Sequence, residues 1–269
     1  MQRIVDHIRV PEGQDWREVL YQHQARGQVQ ELELMKAKTH LHARNINLAD
    51  PNIAEERELI DMVADLCEAR GIQHIPRIAI AESNVPNASS IGGQVVVFTT
   101  DIKQRMSKDE LRAIVGHELS HHRHTLRDTA ATGALGFIGY QGATRLAEPA
   151  LAMMPKAEGL LSMVTGRATH WLYHAIGAVG AVWAITPWRR YMEVEADKEG
   201  AELTSPEHMK GAFLKLEERA QELEAEHGAV EKPSNLVNKV LHRLMEPITV
   251  HPKTEDRVKA MDKMSANQR

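Results

Sequence analysis

The chain has 269 residues, 42% of them hydrophobic, and a formal net charge of -4 at pH 7. That supplies enough apolar material for one large domain or two small ones with real cores. The slightly acidic balance argues against a general nucleic-acid binder, which needs a basic surface to release phosphate counterions. A single cysteine, Cys67, excludes an intrachain disulfide and any cysteine-based zinc cluster.

The opening stretch MQRIVDHIRVPEGQDW carries charges every few positions and has no apolar h-region, so it does not read as a secretory signal. The expected location is the cytoplasm, or a membrane with the functional site facing the cytosol. Residues 14–42 read as charged helix, with Leu20, Leu32, Leu34, Met35 and Leu41 as candidate inward positions. On this reading 1–48 form a charged N-terminal helical region able to cover a cleft, and 49–269 form the main domain. A helix is expected over 51–70, started by Asp50 before Pro51 and stopped by Gly71. Its stripe is Leu59, Met62, Val63 and Leu66, with Cys67 as a small apolar filler. Two β-type runs follow, RIAIA (77–81) and QVVVFTT (94–100), separated by ESNVPNASSIGG, whose turn residues read as a loop.

Next comes DELRAIVGHELSHHRH (109–124). Ser107 and Glu110 form an S-x-x-E capping box, which starts a helix at Lys108 and carries it through the histidines. His117 and His121 are then one turn apart on one face, so their imidazoles can converge on one ion, with Glu118 beside the open coordination position. This is the H-E-x-x-H pattern: imidazoles bind zinc, the metal lowers the pKa of a water, and a carboxylate removes its proton. His124 lies about 10 Å along the axis from His117, too far to share an ion at about 2 Å per bond. It and His122, which points sideways, read as solvated or supporting residues.

Residues 129–188 read as an apolar helical hairpin. Within it, 168–188 has no Asp, Glu, Lys or Arg and is long enough to span a bilayer. Trp171, Tyr173, Trp183 and Trp188, followed by Arg189 and Arg190, suit membrane anchors. Thr169, His170, His174 and the glycines weaken that reading, so membrane insertion and a buried helix both stand. After the hairpin, RRYMEVEADKEGAEL reads as a helix. Glu193 and Asp197 share one face of it, so one carboxylate can ligate a metal while the other holds a ligand histidine by its second nitrogen. Glu195 points elsewhere. The polar stretch KLEERAQELEAEHG (215–228) reads as a solvated face.

The ordered motifs HELSH, an apolar hairpin and EVEAD resemble the zinc metallopeptidases of the HtpX and CAAX prenyl protease type, which are gluzincins. NASSIGGQVVVFTTDIKQRMSKDELRAIVGHELSHH upstream and VHPKTEDRVKAM (250–261) downstream extend the similarity over 76–261. The resemblance implies one zinc per chain on His117, His121 and Glu193, Glu118 as catalytic glutamate, and Asp197 behind the ligands. It further implies that His251 helps to stabilise an oxyanion. An extended polypeptide is expected on an edge strand, here QVVVFTT with Val95, Val96 and Val97, near Asn87 and Ala88. Two departures stand out: the family's early acid after the second histidine is delayed to Asp128, and N-terminal spans are replaced by charged helix.

The expected fold is therefore α+β and mainly helical, zincin-type. A small β-sheet precedes the HExxH helix, and a helical hairpin is inserted between the two ligand helices. The expected function is a zinc-dependent endopeptidase for unfolded or membrane-associated polypeptides. The alternatives are a catalytically silent relative acting as a membrane-bound scaffold, against which intact Glu118 argues, and a helical protein with an accidental HExxH.

Overall fold

The computed structural model describes residues 13, 15–26, 41, 43–72, 75–91, 94–153, 160–227 and 252–267. They are mainly helical with one small mixed sheet. The chain divides into two units, one of Met1–Thr125, Val194–Val230 and Lys253–Arg269, the other of Leu126–Glu193 and Glu231–Pro252.

The first unit is built on the sheet. Its strands are β1 (Ile46–Leu48), β2 (Arg77–Ala81), β3 (Ala88–Ile91) and β4 (Val95–Thr99), in the order β1-β2-β4-β3. Strands β2 and β4 run parallel, while β1 on β2 and β3 on β4 are antiparallel. Strand β4 is buried throughout, which suits its run of β-branched residues and Phe98, because an inner strand covered on both faces has no polar side. Ile78, Val96 and Phe98 face one core with the helices, whereas Ala79, Val95 and Val97 face a second with Leu41 and Ala43.

Helix α1 (Trp16–Arg26) and helix α2 (Ala54–Ala69) pack on the first of these cores. Helix α2 buries Leu59, Met62, Val63, Leu66 and Cys67, the expected stripe and its filler. It starts at Ala54, later than expected, because Asp50 caps a turn instead, accepting from the Asn52 N–H at 2.8 Å. It stops where expected. Gly71 takes φ +60°, and the Ile72 N–H reaches back to the Cys67 carbonyl at 2.8 Å, a closure that an L side chain at that position resists.

Leu20 of α1 is fully buried, worth about 2 kcal/mol in removed apolar surface. Gln24 meets both backbone polar groups of Ile78: its Nε2 donates to the carbonyl and its Oε1 accepts from the N–H at 3.2 Å. Arg17 pairs with Asp65 at 2.7 Å. Helix α1 is thus part of the core, and a boundary at residue 48 would also cut β1 away from the β2 it pairs with.

Two long helices follow the short α3 (Thr100–Arg105): α4 (Lys108–Ala152) and α5 (Leu160–Leu203). Each is continuous, so the helix expected over RRYMEVEADKEGAEL is the C-terminal part of α5 and not a separate element. Nothing in HRHTLRDTAATG stops α4, because its lone Gly133 costs only about 1 kcal/mol. In the second unit α4 and α5 pack antiparallel. A Cβ on Gly139 would strike the Gly180 carbonyl and lie 2.6 Å from Ala184 Cβ, and one on Gly136 would meet Ile185. That unit exposes large apolar side chains, among them Phe137, Ile138 and Trp171, alongside charged ones such as Arg127 and Arg145. Among the described residues no helix is long and apolar enough to cross a membrane. The uncharged run 168–188 has the length, but its glycines, threonines and histidines dilute it. Helices α6 (Pro206–His227) and α7 (Thr254–Asn267) complete the first unit around Met209, Phe213 and Met261.

Candidate active site

The site starts from a helix end. The Ser107 N–H donates to Glu110 Oε2 at 2.7 Å and the Glu110 N–H donates to Ser107 Oγ at 3.3 Å, the reciprocal pair the sequence predicts. Lys215 Nζ donates to the same Oε2 at 2.6 Å, joining α6 to the start of α4. Burial pushes the Glu110 carboxyl up, but Lys215 and Ser107 outweigh it and hold it below the usual carboxylate range.

Two glycines let the ligand helices approach. A Cβ on Gly200 would lie 2.7 Å from the Ala113 carbonyl oxygen and 3.1 Å from the His117 nitrogen. One on Gly116 would lie 3.0 Å from Gly200 Cα. The backbones of α4 and α5 therefore touch beside His117, with Asp197 one turn before the contact. Sequence reasoning missed both residues; the signal was a glycine inside each helix, where it costs stability unless close packing requires it.

His117, His121 and Glu193 each offer a ligand atom, and all three atoms lie within 4.8 Å of one another. The two Nε2 atoms are 3.2 Å apart. Two nitrogens each bound at about 2 Å to a tetrahedral ion lie about 3.3 Å apart, so the pair fits one zinc. Two nitrogens and a carboxylate oxygen leave a fourth position for water, the donor set of a catalytic zinc.

His117 points Nε2 at the group because its other nitrogen is engaged. Nδ1 lies 2.8 Å from Asp197 Oδ1, an arrangement that suits a ring ligating through Nε2. Arg257 of α7 grips the same carboxylate, donating from Nε to Oδ2 at 2.8 Å and from Nη2 to Oδ1. Burial pushes the Asp197 carboxyl up, yet Arg257 and His117 together keep it below its ordinary range, so it remains an anion. Glu118 is buried with its Oε1 4.0 Å from His117 Nε2, on the ligand side of the helix.

The other histidines stand aside from the group. His124 pairs with Glu199 at 3.2 Å, and His122 is buried rather than solvated. Glu195 pairs with Lys198 at 3.2 Å, away from the ligands as expected. His251 lies outside the described residues. Cys67 is fully buried and desolvation pushes its thiol up to about 12, so it is an inert packing residue.

One expectation is corrected. Val95, Val96 and Val97 are not at an edge: β4 is flanked by β2 and β3 and all three side chains are buried. The edge strands of the sheet are β1 and β3, and the Ala, Ser, Ser and Ile of β3 carry too weak a β signal to stand out from the loop residues around them. Asn87 and Ala88 do lie at this edge. The Asn87 N–H donates to Thr99 Oγ1, and its carbonyl accepts from the Thr99 N–H, both at 2.9 Å.

The sequence profile of Peptidase family M48 matches residues 53–265. The chain belongs to that family. Among its relatives, a "Protease HtpX homolog" of Gemmatimonas aurantiaca is 29% identical over 229 residues, covering 78% of this chain and 76% of the relative. Another of that name, from Methanocaldococcus jannaschii, is 28% identical over 224 residues, 79% and 78% of the two chains. A "Protease HtpX homolog 2" of Saccharolobus solfataricus is 36% identical over 84 residues, only 30% and 25% of the two. This family member is a metalloprotease, and His117, His121 and Glu193 are the group that can hold its metal.

Proposed function

We propose that this M48 peptidase is a zinc-dependent endopeptidase of unfolded or membrane-associated polypeptides, with one zinc on His117, His121 and Glu193 and Glu118 as general base. The observation that carries the reading is the convergence of three ligand atoms within 4.8 Å of one another, with the buried Glu118 carboxylate beside them. Bound zinc would supply the Lewis acid that polarises the scissile carbonyl and brings the pKa of a water toward neutrality. Glu118 takes the proton from that water and returns it to the leaving amine. Asp197 keeps His117 oriented throughout. His251 is the candidate donor to the tetrahedral oxyanion.

Substrate lies along β3, replacing the expected QVVVFTT. An edge strand offers unpaired main-chain groups to an extended peptide, with little demand on its side chains. The hairpin of 129–188, inserted in the sequence between the ligand stretches, associates with membrane through Phe137, Ile138, Trp171 and Trp183, whose exposure supports this role.

The test is cleavage of casein by detergent-purified protein, wild type against Glu118→Gln, each after chelation and after zinc is restored. Zinc-dependent cleavage that falls about 10²–10⁴-fold in the variant, with zinc retained, is the expected outcome. Zinc-loaded wild type without cleavage would instead favour a catalytically silent binder.

A further inference from the structure

We infer that Arg257 is a positioning residue of the metal site: by gripping both oxygens of Asp197 it sets the ring of His117, and so couples the C-terminal helix α7 to zinc affinity. The inference rests on the zinc reading above. Its basis is the pattern of contacts around one carboxylate. Asp197 Oδ1 is shared between Arg257 Nη2 and His117 Nδ1, and Oδ2 is held by Arg257 Nε. A carboxylate bonded at one oxygen can still turn about its Cβ–Cγ bond, whereas one held at both by a planar fork cannot. The fork itself is held from above, with the guanidinium carbon 3.9 Å from the centre of the Phe213 ring. A chain of contacts therefore runs from α6 and α7 through Asp197 to the ligand histidine, and each link restricts the next.

A purely structural role, in which Arg257 merely pins α7, fits the contacts less well. Helix α7 already docks through Met261, buried among Ala113, Ala201, Met209 and Phe213. It has a second polar tie as well, between Lys210 Nζ and Asp262 Oδ1 at 2.6 Å, on the surface and away from the ligands. If docking were the only task, the surface tie and the buried fork would be equivalent in their effect on the metal. The geometry makes them different.

The experiment is a zinc competition titration against a chelator, on the full chain, with helix content followed by circular dichroism. Arg257→Gln should weaken zinc binding about 10–100-fold, the usual cost of losing a partner behind a ligand histidine. Arg257→Lys keeps the charge and guards against simple misfolding, yet should recover little, since one ammonium cannot hold both oxygens and stack on Phe213. Asp262→Asn should leave zinc affinity within about 2-fold of wild type, as expected of an exposed pair. In a double-mutant cycle, Arg257→Gln should add less than about 3-fold to Asp197→Asn, because the arginine reaches His117 through that carboxylate. Wild-type affinity in both Arg257 variants overturns the inference, as does a double variant in which the two losses multiply. If wild type and Asp262→Asn bind no zinc, the zinc reading itself fails and the inference falls with it; if they bind and only Arg257 proves silent, the zinc reading stands.

Discussion

Helices α4 and α5 meet twice, and the two meetings use the same device for opposite ends. At Gly116 and Gly200 the backbones touch beside His117, and the buried residues of that stretch include His117, Glu118 and Asp197. At Gly139 and Gly180 the backbones touch again, but there the side chains turned outward are Phe137, Ile138 and Trp183. Small residues bring helices together in both places. Close approach alone therefore does not make a site; what differs is that the first contact buries charge that must be paired, and the second leaves apolar surface unburied. Paired buried charge is held by several partners at once, which gives the first contact the rigidity a metal site needs.

Substituting the two glycines separates these roles most strongly. Gly200→Val forces a side chain onto the Ala113 carbonyl oxygen and should destabilise the first unit by about 3 kcal/mol or more, with loss of zinc binding in a chelator titration. Gly180→Val damages the second contact instead. Zinc affinity there should stay within about 3-fold of wild type, and a comparable loss in both variants would break the distinction.

Apolar side chains give the next contrast. Leu20→Ala, at a fully buried position of α1, should cost about 2–5 kcal/mol in a urea titration, whereas Leu126→Ala, 88% exposed, should stay within about 0.5 kcal/mol. The same logic revises the idea of α1 as a removable cover. Truncation before Asp50 removes Leu20, Gln24 and β1, so the expected result is a destabilised enzyme rather than a faster one.

A smaller effect comes from the helix end. Glu110→Ala removes the bond to the Ser107 N–H and the Lys215 pair, and should cost about 1–2 kcal/mol at pH 7. The folded pKa of Glu110 is lowered, so its contribution is present above the ordinary carboxylate value and is lost as pH falls through the lowered one. Urea midpoints of wild type and variant should therefore converge in acid. A difference that persists there would mean that the side chain acts by packing and not by charge.

What the sequence makes legible is local. Ser107 and Glu110 lie about one turn apart, as do His117 and His121 and also Glu193 and Asp197, so helical spacing alone predicts that each pair shares a face. The buried stripe of α2 follows from the same period. Contacts made across the fold are not legible in this way: Gln24 finds Ile78 at 54 residues' separation and Arg257 finds Asp197 at 60. The strand error has the same origin. An inner strand and an edge strand are distinguished by neighbours, and Val95 to Val97 look alike in either position, while β3 carries no strong pattern.

The most direct measurement is zinc-edge X-ray absorption on the zinc-loaded chain, comparing wild type with Glu193→Gln and His117→Ala. Two imidazole nitrogens and light oxygen ligands at about 2.0–2.2 Å are expected, with one imidazole lost in His117→Ala and a weakened or altered oxygen shell in Glu193→Gln. A wild-type spectrum unchanged by both substitutions would contradict this ligand set, because the zinc would then be held somewhere other than where α4 and α5 cross.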